Sequence, residues 1–267
     1  MKTQNLQDQV VWITGASSGI GQALAITFAE LGAQVVLSAR RDSELQRVKA
    51  LLANQEKHIC IALDITNAAQ VEHALQQVLA EKGRIDWLIN NAGLSQRALI
   101  QETSMETERK IMEVDYFAQV AMTKTVLPTL LKQKSGRVVF MSSVAGLIGT
   151  QYRATYSAAK AAIHMWANSL RAEVSAQGIG VAVVFPGFVK TNVSLNALTG
   201  NGEAQGFQDQ AIEQGLDADE FAQQTVKALL QNQEYIVIGG RKEKLGVMLS
   251  RLSPSILYKQ IRKAEVK

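Results

Sequence analysis

The sequence predicts an α/β protein with one doubly wound parallel sheet carrying helices on both faces, and three observations support this. Seven short runs of β-branched and apolar residues alternate with six segments of helical periodicity. The runs are continuously apolar rather than alternating, as strands buried on both sides should be. A glycine-rich turn joins the first run to the first helical segment.

Taken in order, the VVWIT run at 10–14 is the first strand, and 20–31 is the helix after the turn. The second strand, 34–38, ends at Ser38-Ala39-Arg40-Arg41 and precedes a helix over 44–52. Strand 58–63 leads to a helix over 68–79, strand 85–90 to a long helix over 106–131, and strand 137–142 to a helix over 156–174. Strand 179–185 is followed by a stretch without periodicity, about 187–216, rich in Gly, Asn, Gln and Thr. A helix over 220–230 and a last strand, 235–238, complete the set. No linker or internal repeat divides the chain, so one domain spanning 1–267 is the expectation. Because ligands of open α/β sheets bind beyond the carboxyl ends of the strands, the 187–216 stretch reads as a substrate lid or a disordered segment.

Composition narrows the class further. With 267 residues, 47% of them hydrophobic and 19% charged, the chain can bury a large core, which excludes disordered and collagen-like classes. A single cysteine, Cys60, permits no intrachain disulfide and suits a reducing compartment. The first ten residues lack a signal-peptide core and no run of roughly 18 apolar residues occurs, so a cytoplasmic location is expected. Charge is uneven: 239–267 holds eight Lys or Arg against two Glu, a surplus of +6, which leaves −2 for the rest of a chain of net +4. No nucleic-acid surface is indicated, and only this tail could meet an anionic partner. His58, His73 and His164 stand at no metal-ligand spacing, so no metal site is expected.

The turn after the first strand reads Thr14-Gly15-Ala16-Ser17-Ser18-Gly19-Ile20-Gly21. Glycines let a backbone approach a pyrophosphate without a Cβ clash, and the free N–H groups of a helix start receive negative charge. At the tip of the second strand, where an acid would bind the 2′-hydroxyl of NAD, this sequence has Arg40 and Arg41. Guanidinium groups suit a 2′-phosphate, so NADP is favoured over NAD. Asp64, ending the third strand, either accepts from an adenine amino group or caps the helix that starts near Thr66.

Tyr156 and Lys160 stand four residues apart on a helical segment and so share one face. A phenol is a poor acid or base at neutral pH, and a neighbouring ammonium favours its ionised form. Ser143, at the carboxyl end of the fifth strand, could hydrogen-bond a substrate carbonyl as its oxygen gains charge.

These pieces together resemble the short-chain dehydrogenase/reductase family. Thr14 to Gly21, Asp64, Asn90-Asn91-Ala92-Gly93, Ser143, Tyr156-Ser157-Ala158-Ala159-Lys160 and Pro186-Gly187 with Thr191 stand in that family's order and spacing over nearly the whole chain. The resemblance implies a Rossmann domain with strand order 3-2-1-4-5-6-7, a nicotinamide cofactor, and hydride transfer to or from a carbonyl or alcohol carbon. It implies Tyr156 as general acid/base, Lys160 as the group that tunes it and bonds the nicotinamide ribose, and Ser143 as the holder of the substrate oxygen. It lays the cofactor along Gly15, Ser17, Ser18, Gly19, Ile20, Gly21, Arg40, Arg41, Asp64, Ile65, Asn91, Ala92, Gly93, Pro186, Gly187, Val189 and Thr191, with Tyr156 and Lys160 at its reactive end. It also implies a homodimer or homotetramer joined through the helices at 106–131 and 156–174.

One position departs from the pattern. Where the family usually has an Asn whose carbonyl anchors a water in the proton relay, this chain has Asp115. An Asp keeps the carbonyl but loses the amide donor, and it brings a negative charge toward Lys160. A nucleotide-binding regulatory protein with weakened catalysis is therefore the second reading.

A substrate wall is expected from Leu94, Leu147, Ile148, Phe188, Val193, Leu195 and Leu198, with polar contacts from Gln96, Gln151 and Asn192. That mixture fits a lipophilic or medium-sized carbonyl compound better than a highly charged one. The basic tail reads as an amphipathic segment interrupted at Pro254, with three uses open: packing on the body or a second subunit, peripheral contact with an anionic membrane, or a solvated end.

Overall fold

The protein is described here by a computed structural model covering residues 6–262. Lys263, Glu265 and Lys267 of the basic tail, and the first five residues of the chain, lie outside the described residues. Seven parallel strands form one sheet in the order β3-β2-β1-β4-β5-β6-β7. They are β1 Val10–Thr14, β2 Gln34–Ala39, β3 Ile59–Ala62, β4 Trp87–Asn90, β5 Gly136–Met141, β6 Ile179–Pro186 and β7 Tyr235–Ile238. The connecting helices are α1 Gly19–Glu30, α2 Asp42–Lys49, α3 Ala68–Lys82, α4 Met105–Met112, α5 Ala118–Gln133, α6 Ala154–Val174, α7 Gln210–Glu213, α8 Ala218–Leu230, α9 Arg241–Leu252 and α10 Pro254–Ile261.

Burial on both faces follows from the period-two geometry of a strand. In β1, Val11 and Ile13 point to the face covered by α1, α2 and α8, where they meet Leu24, Phe28, Leu45 and Phe221. Val10 and Trp12 point to the face covered by α3, α5 and α6, among Val71, Leu75, Met122, Val126 and Ile163. Truncating a fully buried ring such as Phe28 to Ala would cost ~3–5 kcal/mol. The buried Trp12 indole is satisfied by donating from Nε1 to Ser38 Oγ at 2.9 Å.

β1 and β4 are adjacent although α1, β2, α2, β3 and α3 separate them along the chain, so the connections diverge to opposite sides there. This is the switch point where the carboxyl ends of the strands open a crevice.

One element departs from the sequence expectation and two others take definite form. The helix expected over 106–131 is two helices, α4 and α5, joined by a π-helical turn at Glu113–Phe117. One residue accommodated in a wide turn leaves the apolar periodicity on either side intact, so spacing cannot reveal it. The 187–216 stretch is packed rather than disordered: Ser194, Ala197, Leu198 and Ile212 are buried and α7 forms within it. The tail is two helices, with Pro254 opening the second, where its missing N–H has no helical partner to lose. It docks through Val247 and Leu257 against Ile148, while Leu245, Met248, Leu252 and Ile256 stay exposed.

Candidate active site

A continuous cleft of about 1550 Å³ runs along the carboxyl ends of the strands. This exceeds the ~300–1,000 Å³ that a single small ligand fills, leaving room for a dinucleotide and a second molecule.

At one end the cleft is lined by Gly15, Ser17, Ser18, Gly19, Ile20 and Gly21. The chain leaves β1 and turns into α1 through Gly15 and Gly19, both at positive φ, where a side chain would be strained. A Cβ on Gly21 would stand 2.2 Å from the Gly15 carbonyl oxygen, so only glycine permits this approach. Ser18 precedes α1 without a side-chain cap, and no acidic residue lies in the first turn. The first N–H groups of α1 therefore face the cleft ready for an anion, which fits the pyrophosphate of a dinucleotide.

The turn is braced from β4. Asn91 Nδ2 donates to the carbonyls of Thr14 at 3.0 Å and Gly15 at 3.2 Å, and Thr14 Oγ1 accepts from the N–H groups of Asn91 and Ala92. Asn91 thus shapes the floor by holding the turn. A brace absent from the sequence reading is Arg47 on α2, whose Nη2 donates to the Ser17 carbonyl at 3.1 Å and to Gln22 Oε1 at 2.9 Å.

Arg40 and Arg41 follow β2, exposed at the cleft edge, with Asp64 and Ile65 across from them after β3. Asp64 does not cap a helix: Oδ1 accepts from Thr66 N at 3.0 Å and Thr66 Oγ1 at 2.7 Å, while α3 is capped by Asn67 accepting from Gln70 N. The Thr66 hydrogen bonds hold the Asp64 carboxyl below its usual range. On the far side, Pro186, Gly187, Val189 and Thr191 line the cleft. Thr191 lies close enough to α1 that a Cβ on Gly19 would meet its Cγ2 at 3.0 Å.

The other end holds Ser143, Tyr156 and Lys160 together with Gly93. Ser143 follows β5, and its Oγ accepts from Ala145 N at 3.0 Å, which leaves the hydroxyl proton for another acceptor. Lys160 is buried, donates from Nζ to the Met141 carbonyl at 3.0 Å and lies 5.7 Å from the Tyr156 ring centre. A Cβ on Gly93 would stand 3.1 Å from Lys160 Nζ.

Asp115, in the π-helical turn, is fully buried and meets the same ammonium: Oδ2 is 3.6 Å from Lys160 Nζ, and Oδ1 accepts from Leu94 N at 2.7 Å. Burial pushes its carboxyl above the usual range, with the Lys160 charge and the Leu94 hydrogen bond pulling the other way.

The substrate wall differs in part from expectation. Leu94, Ile148, Phe188, Asn192, Val193 and Leu198 line the cleft. Leu147 instead packs beneath α10, and neither Leu195 nor Gln151 reaches the lining. Gln96 is wholly buried: its Oε1 accepts from Thr155 N at 3.0 Å and Tyr156 N at 3.2 Å. It therefore serves α6 as a cap supplied from 59 residues away and fixes the helix that carries Tyr156 and Lys160. Among the described residues, no group of acidic, His or Cys side chains could hold a metal.

Cradle, cleft and Tyr–Lys face together define a Rossmann-type fold whose cleft has a glycine-rich anion cradle at one end and a Tyr–Lys pair at the other. The family model for short chain dehydrogenases matches residues 9–201, and the chain belongs to that oxidoreductase family. It is 39% identical over 267 aligned positions to a dehydrogenase/reductase SDR family protein 7-like of Drosophila melanogaster, covering 98% of this chain and 82% of that protein. A short-chain dehydrogenase from Streptomyces avermitilis superposes with a TM-score of 0.80 at 28% identity, over 96% of this chain and 98% of that one. A Burkholderia phymatum short chain dehydrogenase/reductase, in complex with NAD, shares the fold with a TM-score of 0.81 at 22% identity, over 98% of each chain.

Proposed function

We propose that this protein is an NADP-dependent oxidoreductase that interconverts a carbonyl and a secondary alcohol, with Tyr156 as general acid/base. When bound, the nicotinamide supplies or accepts the hydride. The observation that carries the reading is the convergence of Ser143, Tyr156 and Lys160 on one end of the cleft whose other end is the uncapped start of α1. In the reductive direction the Tyr156 hydroxyl donates a proton to the substrate oxygen, and the free proton of Ser143 Oγ orients that oxygen. The Lys160 ammonium, anchored on the Met141 carbonyl, places a positive charge beside the phenol that exchanges the proton.

NADP is preferred because Ala39 stands where an acid would otherwise receive a ribose hydroxyl, and Arg40 and Arg41 follow it at the cleft edge. NAD is the runner-up, and parallel titrations with NADPH and NADH followed by a carbonyl panel test the reading. Tighter NADPH binding with substrate-dependent NADPH oxidation supports it, and binding of neither coenzyme overturns it.

Asp115 motivates the second reading, a nucleotide-binding protein with weakened catalysis. A carboxylate 3.6 Å from Lys160 Nζ competes with the phenol for that charge. On this reading Asp115→Asn raises turnover several-fold, whereas an unchanged or lower rate removes the motive for it.

Residues 187–216 serve as the substrate lid. Exposed Phe117 and Met165, beside α5 and on α6, support a homodimer or homotetramer. Among the described residues no helix is long and apolar enough to cross a membrane. The exposed apolar row of α9 and α10 among basic residues supports peripheral attachment to an anionic membrane from the cytoplasmic side.

A further inference from the structure

Arg97, Arg153 and Asp209 form a buried cluster at the substrate end of the cleft, and its charges do not balance. Asp209, just before α7, is almost fully engaged. Its Oδ2 receives Arg97 Nε at 2.6 Å and Nη2 at 2.5 Å, and its Oδ1 receives Gln205 Nε2 at 2.9 Å. Arg97 completes its bonding through Nη1 to Ser95 Oγ and the Gln96 carbonyl. Arg153 is left over: its Nη2 comes no closer to Asp209 Oδ2 than 3.7 Å and is buried without a hydrogen-bond partner among the described residues. Its side chain is only 8% exposed, with the Phe188 ring 5.4 Å from the guanidinium carbon. Burial, with Arg97 nearby, drags its pKa down to about 10. Three residues before Arg153, Thr150 Oγ1 is also buried and unpartnered, and both residues line the cleft.

Two buried guanidiniums that share one carboxylate are costly, and the unpaired buried donor of Arg153 adds to that cost. Arg153 precedes α6 and Tyr156 lies within its first turn, so the two positions are three residues, ~4.5 Å along the helix axis, apart.

We infer that the substrate carries an anionic group, a carboxylate or a phosphate, which pairs with Arg153 and Thr150 while its carbonyl sits at Tyr156 and its apolar body lies along Leu94, Ile148, Val193 and Leu198. The inference rests on the reading of Tyr156 as acid/base. It sharpens the expectation of a lipophilic or medium-sized carbonyl compound, since the wall is apolar but one end of it is cationic.

The test uses decyl-chain ketones with the carbonyl at positions 2 to 5 and a carboxylate, phosphonate or methyl-ester end, each assayed by NADPH oxidation. Binding of decanoate, decylphosphonate and decanol is measured calorimetrically with NADPH present. The expected result is at least tenfold higher kcat/KM for an anionic ketone than for its ester, and at least tenfold tighter binding of an anion than of decanol. Arg153→Gln should bring both ratios close to one, Arg153→Lys should retain part of each, and Arg109→Gln, at an exposed site on α4, should change neither. Whichever anion ranks first supports the site and identifies its source. Equal treatment of anion and ester by the wild type, or ratios that survive Arg153→Gln, would overturn the inference while leaving oxidoreductase activity in place. Anion binding through Arg153 without reduction of any ketone would uphold the inference and count against the hydride-transfer reading.

Discussion

Where β1 and β2 end, the cleft offers backbone N–H groups, glycines and exposed guanidiniums. Where β5 and β6 end, it offers buried side-chain charges: Lys160 with Asp115, and Arg97 with Asp209 and Arg153. An exposed cation such as Arg40 keeps its hydration until a ligand arrives, whereas Arg153 has already lost it on folding. The cradle end is thus a local construction, built from residues close together in the chain. The substrate end is a folded-in electrostatic arrangement whose members depend on one another.

Four experiments break or sharpen this contrast, in decreasing order of effect. Asp209→Asn leaves two buried guanidiniums without a carboxylate and should cost ~3–5 kcal/mol in chemical denaturation, with faster amide exchange through 187–216. The exposed pair Arg47–Glu44 is the control, since Glu44→Gln should cost no more than ~1 kcal/mol. Gly21→Ala, which forces a Cβ against the Gly15 carbonyl, should cost ~1–3 kcal/mol and abolish coenzyme binding in fluorescence titrations.

Arg40→Ala should weaken NADPH binding by about tenfold or more, as expected for loss of a charge-assisted hydrogen bond, with a much smaller effect on NADH. Equal losses for both coenzymes would place the 2′-phosphate elsewhere. The smallest effect concerns His58, outside both ends of the cleft. Its Nδ1 accepts from Val35 N at 2.9 Å, its Nε2 bonds the Ala53 carbonyl at 2.7 Å, and burial holds its pKa below the ordinary 6.5. Below about pH 6.5 the unfolded chain binds a proton that the native imidazole refuses. Stability should therefore fall with decreasing pH by up to ~1.4 kcal/mol per unit, and His58→Asn should flatten that slope in denaturation measured from pH 7.5 to 5.

The same contrast explains what could be read from sequence. The cradle from Thr14 to Gly21 is contiguous and Tyr156 and Lys160 are one helical turn apart, so spacing alone brings each set together. The apolar runs place all seven strands because a parallel strand buried on both faces leaves a continuous signature. The substrate end is assembled over long separations: Gln96 reaches Thr155 across 59 residues and Arg97 reaches Asp209 across 112. No periodicity marks such pairs, and a buried Arg reads in sequence like a solvated one. Gln96 was expected on the substrate wall for that reason and instead caps α6. Asp115 was legible only as a departure from the family pattern, while the π-helical turn that carries it left no trace in the spacing.

The most direct test of the central claim is turnover of the best carbonyl substrate by Tyr156→Phe, with NADPH binding measured on the same preparations. Loss of the phenolic proton should lower kcat/KM by ~10²–10⁴-fold while the variant remains folded and still binds NADPH. Turnover equal to that of the wild type would contradict the account and remove Tyr156 from the chemistry.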